Sequence, residues 1–574
     1  MSNISKQKRE ALVSKIRAIY SYIEKAEQDE NTGNLLTYLS ELEKEINFKK
    51  YGLVFEEHRE GIDELLDTHL PVLLETPDLF VDNGGKINFL IEGDNLAALK
   101  ILKKTHTRKI NIIYIDPPYN TGGNDFVYND SIIDSEDSFR HSKWLSFMSE
   151  RLIIAKQLLH DTGVIFISIG EHELASLKLL CDCIMGEENN VTIFSRQMKS
   201  GGAKGKYYTP SIDYILVYAK DISKLPHFRA VMTQKQINTF YNKIEVEGPR
   251  SGERYGEERL FKASLDARPN QRYYIKCPDG SYVIPPGKHF PAIVDEGEFI
   301  IPTDEDKVWK WIYSRYKSEL EKGNIVFKRT KTSGLVDENG NKSNWNIYNK
   351  LWLAEQQSKG VVPSNFIQEF ENRQSAAELK KLGINFTYAK PTNLIKYLIT
   401  IANQNKDCIV LDFFAGSGTT GHAVMSLNSE DLHNSSFILC TNNENNICRE
   451  VTYRRIQRVI EHNNYEASLK YYKIEYMPID KKMYYEYADE LLHYIRELVE
   501  LENGINFIGN VEIAIVLTDE ELEVFISNLD DFGKCKKLYL GHNVLLSGMQ
   551  EAMIKKGGIT VNIIPDYYYQ ELGG

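Results

Sequence analysis

An apolar, β-branched run, Ile110-Asn111-Ile112-Ile113-Tyr114-Ile115, ends abruptly on Asp116-Pro117-Pro118-Tyr119-Asn120. The run reads as a buried strand of a sheet covered on both faces. Two successive prolines stop it, because neither donates to a ladder and each turns its predecessor away from helix. The backbone after Asp116 is therefore stiff and extended at the mouth of a sheet. It offers one carboxylate, uncommitted carbonyls and the flat ring of Tyr119. That set, Asp116, Pro117, Pro118 and Tyr119, suits a planar ring bearing an exocyclic amino group. The ring would stack on Tyr119 while Asp116 and the Pro117 carbonyl accept the two amino hydrogens. The plainer reading, a strand-ending turn with an aspartate cap, leaves the tyrosine and a second loop far downstream without a purpose.

That second loop is Cys408-Ile409-Val410-Leu411-Asp412-Phe413-Phe414-Ala415-Gly416-Ser417-Gly418-Thr419-Thr420. A strand again runs into a carboxylate, and a helix is expected from Thr419 to about Met425. Glycines at alternate positions let backbone approach a ligand at a helix N-terminus. The third glycine of the dinucleotide fingerprint is missing, and so is the Gly-Lys-Ser/Thr of a phosphate loop. A lone Gly-x-Gly is weak evidence, but here it is paired with the Asp116 motif.

Together the two motifs make the chain resemble the S-adenosylmethionine-dependent DNA amino-methyltransferases. Target motif first and cofactor motif last is the order of their β class. Asp116–Gly122, His141–Met148 and Cys440–Asn445 resemble the modification subunits of type III restriction–modification systems. The likeness covers roughly residues 50–470 as a motif-level reading. It implies an α/β fold: a doubly wound, Rossmann-like methyltransferase sheet of circularly permuted motif order. To this sheet are added an inserted α+β target-recognition domain, a helical N-terminal segment and a small C-terminal α/β module. It further implies S-adenosyl-L-methionine as cofactor, double-stranded DNA as substrate, N6 of a flipped adenine as acceptor, a homodimer, and a restriction (helicase–nuclease) partner. Cytosine N4 is the alternative acceptor, and a subunit that chiefly positions a partner nuclease is the alternative role.

Several residues take roles from this resemblance. Asp412, Phe413, Gly416, Gly418 and Thr419 would line the cofactor. Asp94, after the expected strand Ile87–Glu92, would accept from the adenine amino group of the cofactor, although an N-cap carboxylate is equally well explained there. Lys390, before Pro391-Thr392 and a helix to Ala402, is the candidate counter-charge for the methionine carboxylate. After the strand Phe437–Cys440, Asn442, Asn443 and Glu444 all qualify as partners of ribose hydroxyls. Between two strands, the loop Lys199–Tyr208 combines flexible backbone, three cations and adjacent aromatics. Lys199, Lys204, Lys206 and Tyr207 are DNA-contact candidates, with a solvated hairpin tip as the simpler alternative. In the insertion, Arg268 and Arg272 are candidates to contact DNA.

The expected organisation is a helical region over 1–80, the target-base half of the catalytic domain over 81–220, and target recognition over 221–388. The cofactor half spans 389–470 and the C-terminal module 471–574. The stripe Trp144, Leu145, Met148, Leu152, Ala155 and Leu159 is core at helical spacing. The C-terminal segment shows no second glycine loop and no nuclease-like carboxylate–lysine cluster, so it reads as an assembly module. A net charge of −12 excludes a general nucleic-acid coat, though not a local basic cleft. Seven scattered cysteines fit neither a zinc site nor a disulfide framework, and the proposed chemistry requires no metal. No apolar run nears membrane-spanning length and the N-terminus lacks a signal-peptide core, so the expected compartment is cytoplasmic.

Overall fold

A computed structural model of the chain describes residues 4–23, 25, 30–47, 55–121, 139–201, 207–266, 268–402, 406–431, 433–479, 482–508, 510–529 and 534–569. They form two compact units, one of residues 1–227 with 364–574 and one of residues 228–363.

The larger unit is built on a ten-stranded sheet. From one edge its strands are His69–Glu75, Ala467–Pro478, Lys86–Glu92, Ser436–Thr441, Ile409–Asp412, Ile110–Ile115, Leu159–Ile169, Ile212–Ala219, Asn190–Gln197 and Phe366–Ile367. The six strands from Ala467–Pro478 through Leu159–Ile169 are mutually parallel. Parallel sheets need cover on both faces, and the Ile110–Ile115 strand shows why the run is apolar throughout. Ile113 and Ile115 join the core that includes Leu96, Trp144 and Leu152, while Ile112 and Tyr114, which alternate with them, are buried as well. The helices pack in two groups. Asn95–His106, Arg140–Leu158, Leu174–Met185 and Ile495–Asn503 form one, and Thr392–Ala402, Thr419–Asp431 and Arg454–Asn463 the other. The expected doubly wound α/β sheet is thus present.

Chain order reverses between Ile409–Asp412 and Ile110–Ile115. The first of these strands leads on to Ser436–Thr441 on one side, the second to Leu159–Ile169 on the other. Such a switch point leaves a crevice beyond the strands' carboxyl ends. Register places Val410 opposite Ile112 and Leu411 opposite Ile113, so Asp412 and Asp116 end neighbouring strands at that crevice.

Three boundaries differ from expectation. The N-terminal region is not wholly helical: after Ile4–Ile23, Glu30–Asn47 and Gly61–Thr68 comes the strand His69–Glu75, antiparallel to Ala467–Pro478. Pro71 forbids helix there and is tolerated because the strand is an edge. Residues 364–388 belong to the larger unit. Phe366–Ile367 pairs with Asn190–Gln197, and buried Arg196 donates to Asp213, to the Phe370 carbonyl and to Asn372. The main sheet also runs past residue 470 to Pro478, and Tyr487, Leu491, Leu498 and Val499 pack into its core. Buried Lys470 clamps this helical segment to the sheet through Glu500 at 2.5 Å and Glu75 at 3.0 Å. Only then comes a separate three-stranded parallel sheet of Ile513–Val516, Lys537–Gly541 and Thr560–Ile564.

The smaller unit holds an antiparallel sheet ordered Ile325–Arg329, Trp345–Trp352, Arg254–Arg259, Lys243–Ile244, with Trp309, Trp311, Tyr273 and Tyr316 in its core.

Candidate active site

Asp116 carries two differently treated oxygens. Oδ2 accepts from Lys390 Nζ at 2.5 Å, whereas Oδ1 is buried without a partner. The Lys390 ammonium also lies 5.1 Å from the centre of the Tyr119 ring. The structure therefore joins Lys390 to the target motif. The reason is electrostatic: Lys390 precedes a helix whose N-terminus already carries positive charge, and the nearby Asp116 offers an uncompensated anion. The Tyr119 hydroxyl is also buried without a partner, and burial followed by the Asp116 charge holds it well above the usual phenol range. Trp144 Nε1 donates to the Pro118 carbonyl at 2.8 Å, so the core stripe supports the loop from behind. Pro117 and Pro118 are themselves buried. Gly170, ending the neighbouring strand, makes room for the tyrosine; a Cβ there would stand 2.8 Å from Tyr119 Cδ2.

The second loop is closed on itself. Asp412 Oδ1 accepts from the Phe414 amide at 3.0 Å and Oδ2 from the Thr420 hydroxyl at 2.5 Å. Burial lifts its carboxyl to about 7, against the lowering effect of those two donors. Gly416 and Gly418 adopt φ of +49° and +75°, where a side chain is strained. The space around them differs. A Cβ at Gly418 would press on Thr452 Cγ2 at 3.2 Å, whereas one at Gly416 would meet nothing nearer than 3.8 Å. Gly416 is thus the open side of the loop. Its carbonyl accepts from the Thr452 hydroxyl at 2.5 Å, and Thr452 sits on a short π-helix, Ile447–Tyr453. Phe413 is fully buried.

Two buried arginines hold the frame, and sequence reading missed both. Arg455 donates to Ser417 at 2.9 Å, Thr419 at 2.8 Å and Thr392 at 2.9 Å, tying the starts of two helices together. Thr419, a cofactor candidate, also fastens the loop; its hydroxyl donates on to the Lys390 carbonyl. Arg151 donates to Asn95 Oδ1 and to Glu60, while Asn95 Nδ2 donates to the Phe413 carbonyl at 3.2 Å. Nothing local marks these arginines; their partners are scattered along the chain.

Asp94 caps its helix, accepting from Leu96 N at 2.7 Å and Ala97 N at 3.4 Å. Asn443 Oδ1 accepts from the Arg449 amide at 3.2 Å, and Asn442 is half-exposed beside it at a parallel strand's end. Among the DNA-contact candidates, Lys199 is half-buried, Tyr207 is 87% exposed and Arg268 is exposed. Lys204 and Lys206 lie outside the described residues, as does Gly122. Arg272 is a correction. It is fully buried and donates to the carbonyls of His289, Pro285 and Lys307, so it is an internal brace of the smaller unit. Such an arginine has no surface to offer a phosphate.

The two loops follow adjacent parallel strands at a switch point, which is where an open α/β sheet binds its ligands. The chain belongs to the family of N6/N4 DNA methylases, whose family model matches residues 110–454 and so spans both loops. It is 31% identical over 407 residues to the Mod subunit of the type III restriction-modification enzyme StyLTI of Salmonella typhimurium, covering 66% of this chain and 56% of that protein. It is 32% identical over 440 residues to the EcoPI Mod subunit of Escherichia phage P1, covering 66% and 63%. The type II methyltransferase M.KpnI of Klebsiella pneumoniae is 30% identical over 407 residues, covering 67% of this chain and 89% of that protein. The matched regions thus span less than two thirds of the type III relatives' length. Among the described residues no helix is long and apolar enough to cross a membrane.

Proposed function

We propose that the chain is a site-specific DNA methyltransferase that uses S-adenosyl-L-methionine to modify N6 of adenine, as the modification subunit of a restriction–modification system. One observation carries this reading. Asp116 ends a strand beside the glycine loop, with one oxygen fixed by Lys390 and the other buried and free to accept an amino hydrogen. The cofactor fits the second loop. Gly416 leaves its ligand side open, Asp94 and Asn442 keep polar side chains at neighbouring strand ends, and Asn443 stands beside them. When bound there, S-adenosylmethionine supplies an electrophilic methyl group.

The protein's part is alignment. Lys390 fixes the Asp116 carboxylate, which with the Pro117 carbonyl orients the amine so that its lone pair faces the methyl donor. Alignment of two reactants lowers a barrier by roughly 7–11 kcal/mol. A base inside a duplex is out of reach and must be flipped, costing a few kcal/mol. Stacking on Tyr119 offsets about 1–3 kcal/mol of that.

In this reading the 228–363 unit recognises the DNA sequence, with Arg268 among its exposed contacts and Lys199 and Tyr207 contributing from the catalytic unit. The likeness to type III Mod subunits supports a restriction subunit as partner; a pair of chains as the working form and the cytoplasm as the compartment complete the reading. Sequencing of modified bases in DNA from cells expressing this chain tests the whole reading. N6-methyladenine at one recurrent sequence is expected. N4-methylcytosine there would reassign the base, and unmodified DNA would leave a recognition subunit only.

A further inference from the structure

Beyond the Asp116 motif lies a buried cluster outside both ligand loops. Asn120 follows Tyr119 with φ of +53° and is 2% exposed. Left-handed backbone suits asparagine better than most residues, but a single such residue still needs something to hold it. That hold comes from Glu173, which is fully buried: Asn120 Nδ2 donates to its Oε1 at 2.5 Å. The same oxygen is 2.6 Å from His141 Nδ1, on the helix that also carries Trp144.

Glu173 stands at the N-cap of the Leu174–Met185 helix yet makes no capping bond. A carboxylate there ordinarily accepts from the first free amides; this one is diverted to the target loop. Its second oxygen and Asn120 Oδ1 are buried without partners, as are Asp116 Oδ1 and the Tyr119 hydroxyl. Four such atoms on two neighbouring strand ends are far more than a folded interior normally leaves unsatisfied. Gly170, at the start of the same Gly170–Glu173 turn, is where the Tyr119 ring rests.

Resting on the methyltransferase reading above, we propose that Glu173 is a positioning residue. Through Asn120 and His141 it locks the loop that sets the Tyr119 ring and the free Asp116 oxygen against the flipped base. It neither touches the methyl donor nor takes the amine's proton. Its carboxylate acts as a hydrogen-bond acceptor of fixed place, and its charge is not used.

The experiment compares Glu173→Gln, Glu173→Ala and Asn120→Ala in the full chain, on a duplex containing the methylated sequence. Glu173→Gln retains Oε1 as acceptor and should turn over like the parent. Glu173→Ala and Asn120→Ala should lower kcat by roughly 100-fold, the cost of about 1 Å of misplacement. KM for S-adenosylmethionine should hold, and fluorescence of 2-aminopurine at the target position should fall, because a base no longer held out by the target loop returns to the duplex, where stacking quenches it. Parental kcat in Asn120→Ala would overturn the proposal, even if Glu173→Ala failed to fold. Loss of turnover in folded Glu173→Gln would overturn it too, by making the charge the active property. Failure of the parent chain to methylate any DNA would instead sink the underlying reading.

Discussion

The two loops at the switch point are built on the same plan and finished in opposite ways. Both follow a parallel strand, both begin with an aspartate, and the two aspartates end adjacent strands. In the glycine loop polar capacity is largely spent internally. Asp412 accepts from Phe414 and Thr420, the Gly416 carbonyl from Thr452, and Ser417 and Thr419 from Arg455. In the target loop capacity is left over at Asp116 Oδ1, Tyr119 Oη and Asn120 Oδ1. A buried unsatisfied acceptor costs about 1–3 kcal/mol, so it persists only where something else holds the loop. Trp144, Gly170, Lys390 and Glu173 do that holding. The contrast separates recognition by shape, for which a closed loop with one open glycine suffices, from recognition by hydrogen bonding, for which acceptors are kept in reserve.

Removing the reserved acceptor should have the largest effect. Asp116→Ala is expected to lower kcat by about 10²–10³-fold, the range for deleting one preorganised hydrogen-bonding group. Cofactor affinity by calorimetry should stay near the parental value, because none of the hydrogen bonds that close the glycine loop involves Asp116. A parallel collapse of cofactor binding would show that the two loops are one site and not two. The next largest effect should come from the shape loop. Gly416→Val places branched carbons on the open side and strains a left-handed residue by roughly 1–2 kcal/mol. Weakening of S-adenosylmethionine binding by at least about tenfold is expected, with the fold intact by circular dichroism. Normal affinity in the folded variant would make the open side irrelevant to the cofactor.

What could be read in the sequence follows the same division. Both loops were legible because their signals are local: an apolar run, then prolines or alternating glycines, with the carboxylate between. The supports were not. Lys390 is 274 residues from Asp116 in the chain, and the identity of a lysine before a proline says nothing about which anion it meets. Arg151, Arg455 and Glu173 look like any charged residue on a helix or turn until the fold buries them. Arg272 failed in the reverse direction: an arginine among tyrosines and prolines resembles a DNA contact, but here the surrounding chain turns three carbonyls onto it. The strand at His69–Glu75 was hidden because its partner, Ala467–Pro478, lies far off in sequence, and only Pro71 hinted that the helices had ended.

The smallest expected effect is also the one that tests whether the closed loop is closed at a cost. Burial raises the Asp412 carboxyl to about 7 from 3.8, with the Thr420 hydroxyl, the Phe414 amide and Lys390 opposing the rise and the Asp116 charge adding to it. Below 3.8 the group is protonated folded and unfolded alike, and its contribution to stability is fully present. As pH climbs towards 7 the unfolded chain sheds the proton while the folded chain keeps it, and that contribution is progressively lost. Above that range the folded chain carries a buried anion whose hydrogen bonds come from one hydroxyl and one amide. Asp412→Asn keeps an acceptor for Phe414 and a partner for Thr420 but has nothing to ionise. The difference in Tm between Asp412→Asn and the parent should therefore move in the variant's favour between about pH 5 and about pH 8, by about 2 °C or more. The comparison belongs to the cofactor-free protein, measured by scanning calorimetry. A pH-independent difference would mean that Asp412 ionises like an ordinary carboxylate, and that the glycine loop is more open to water than its hydrogen bonds imply.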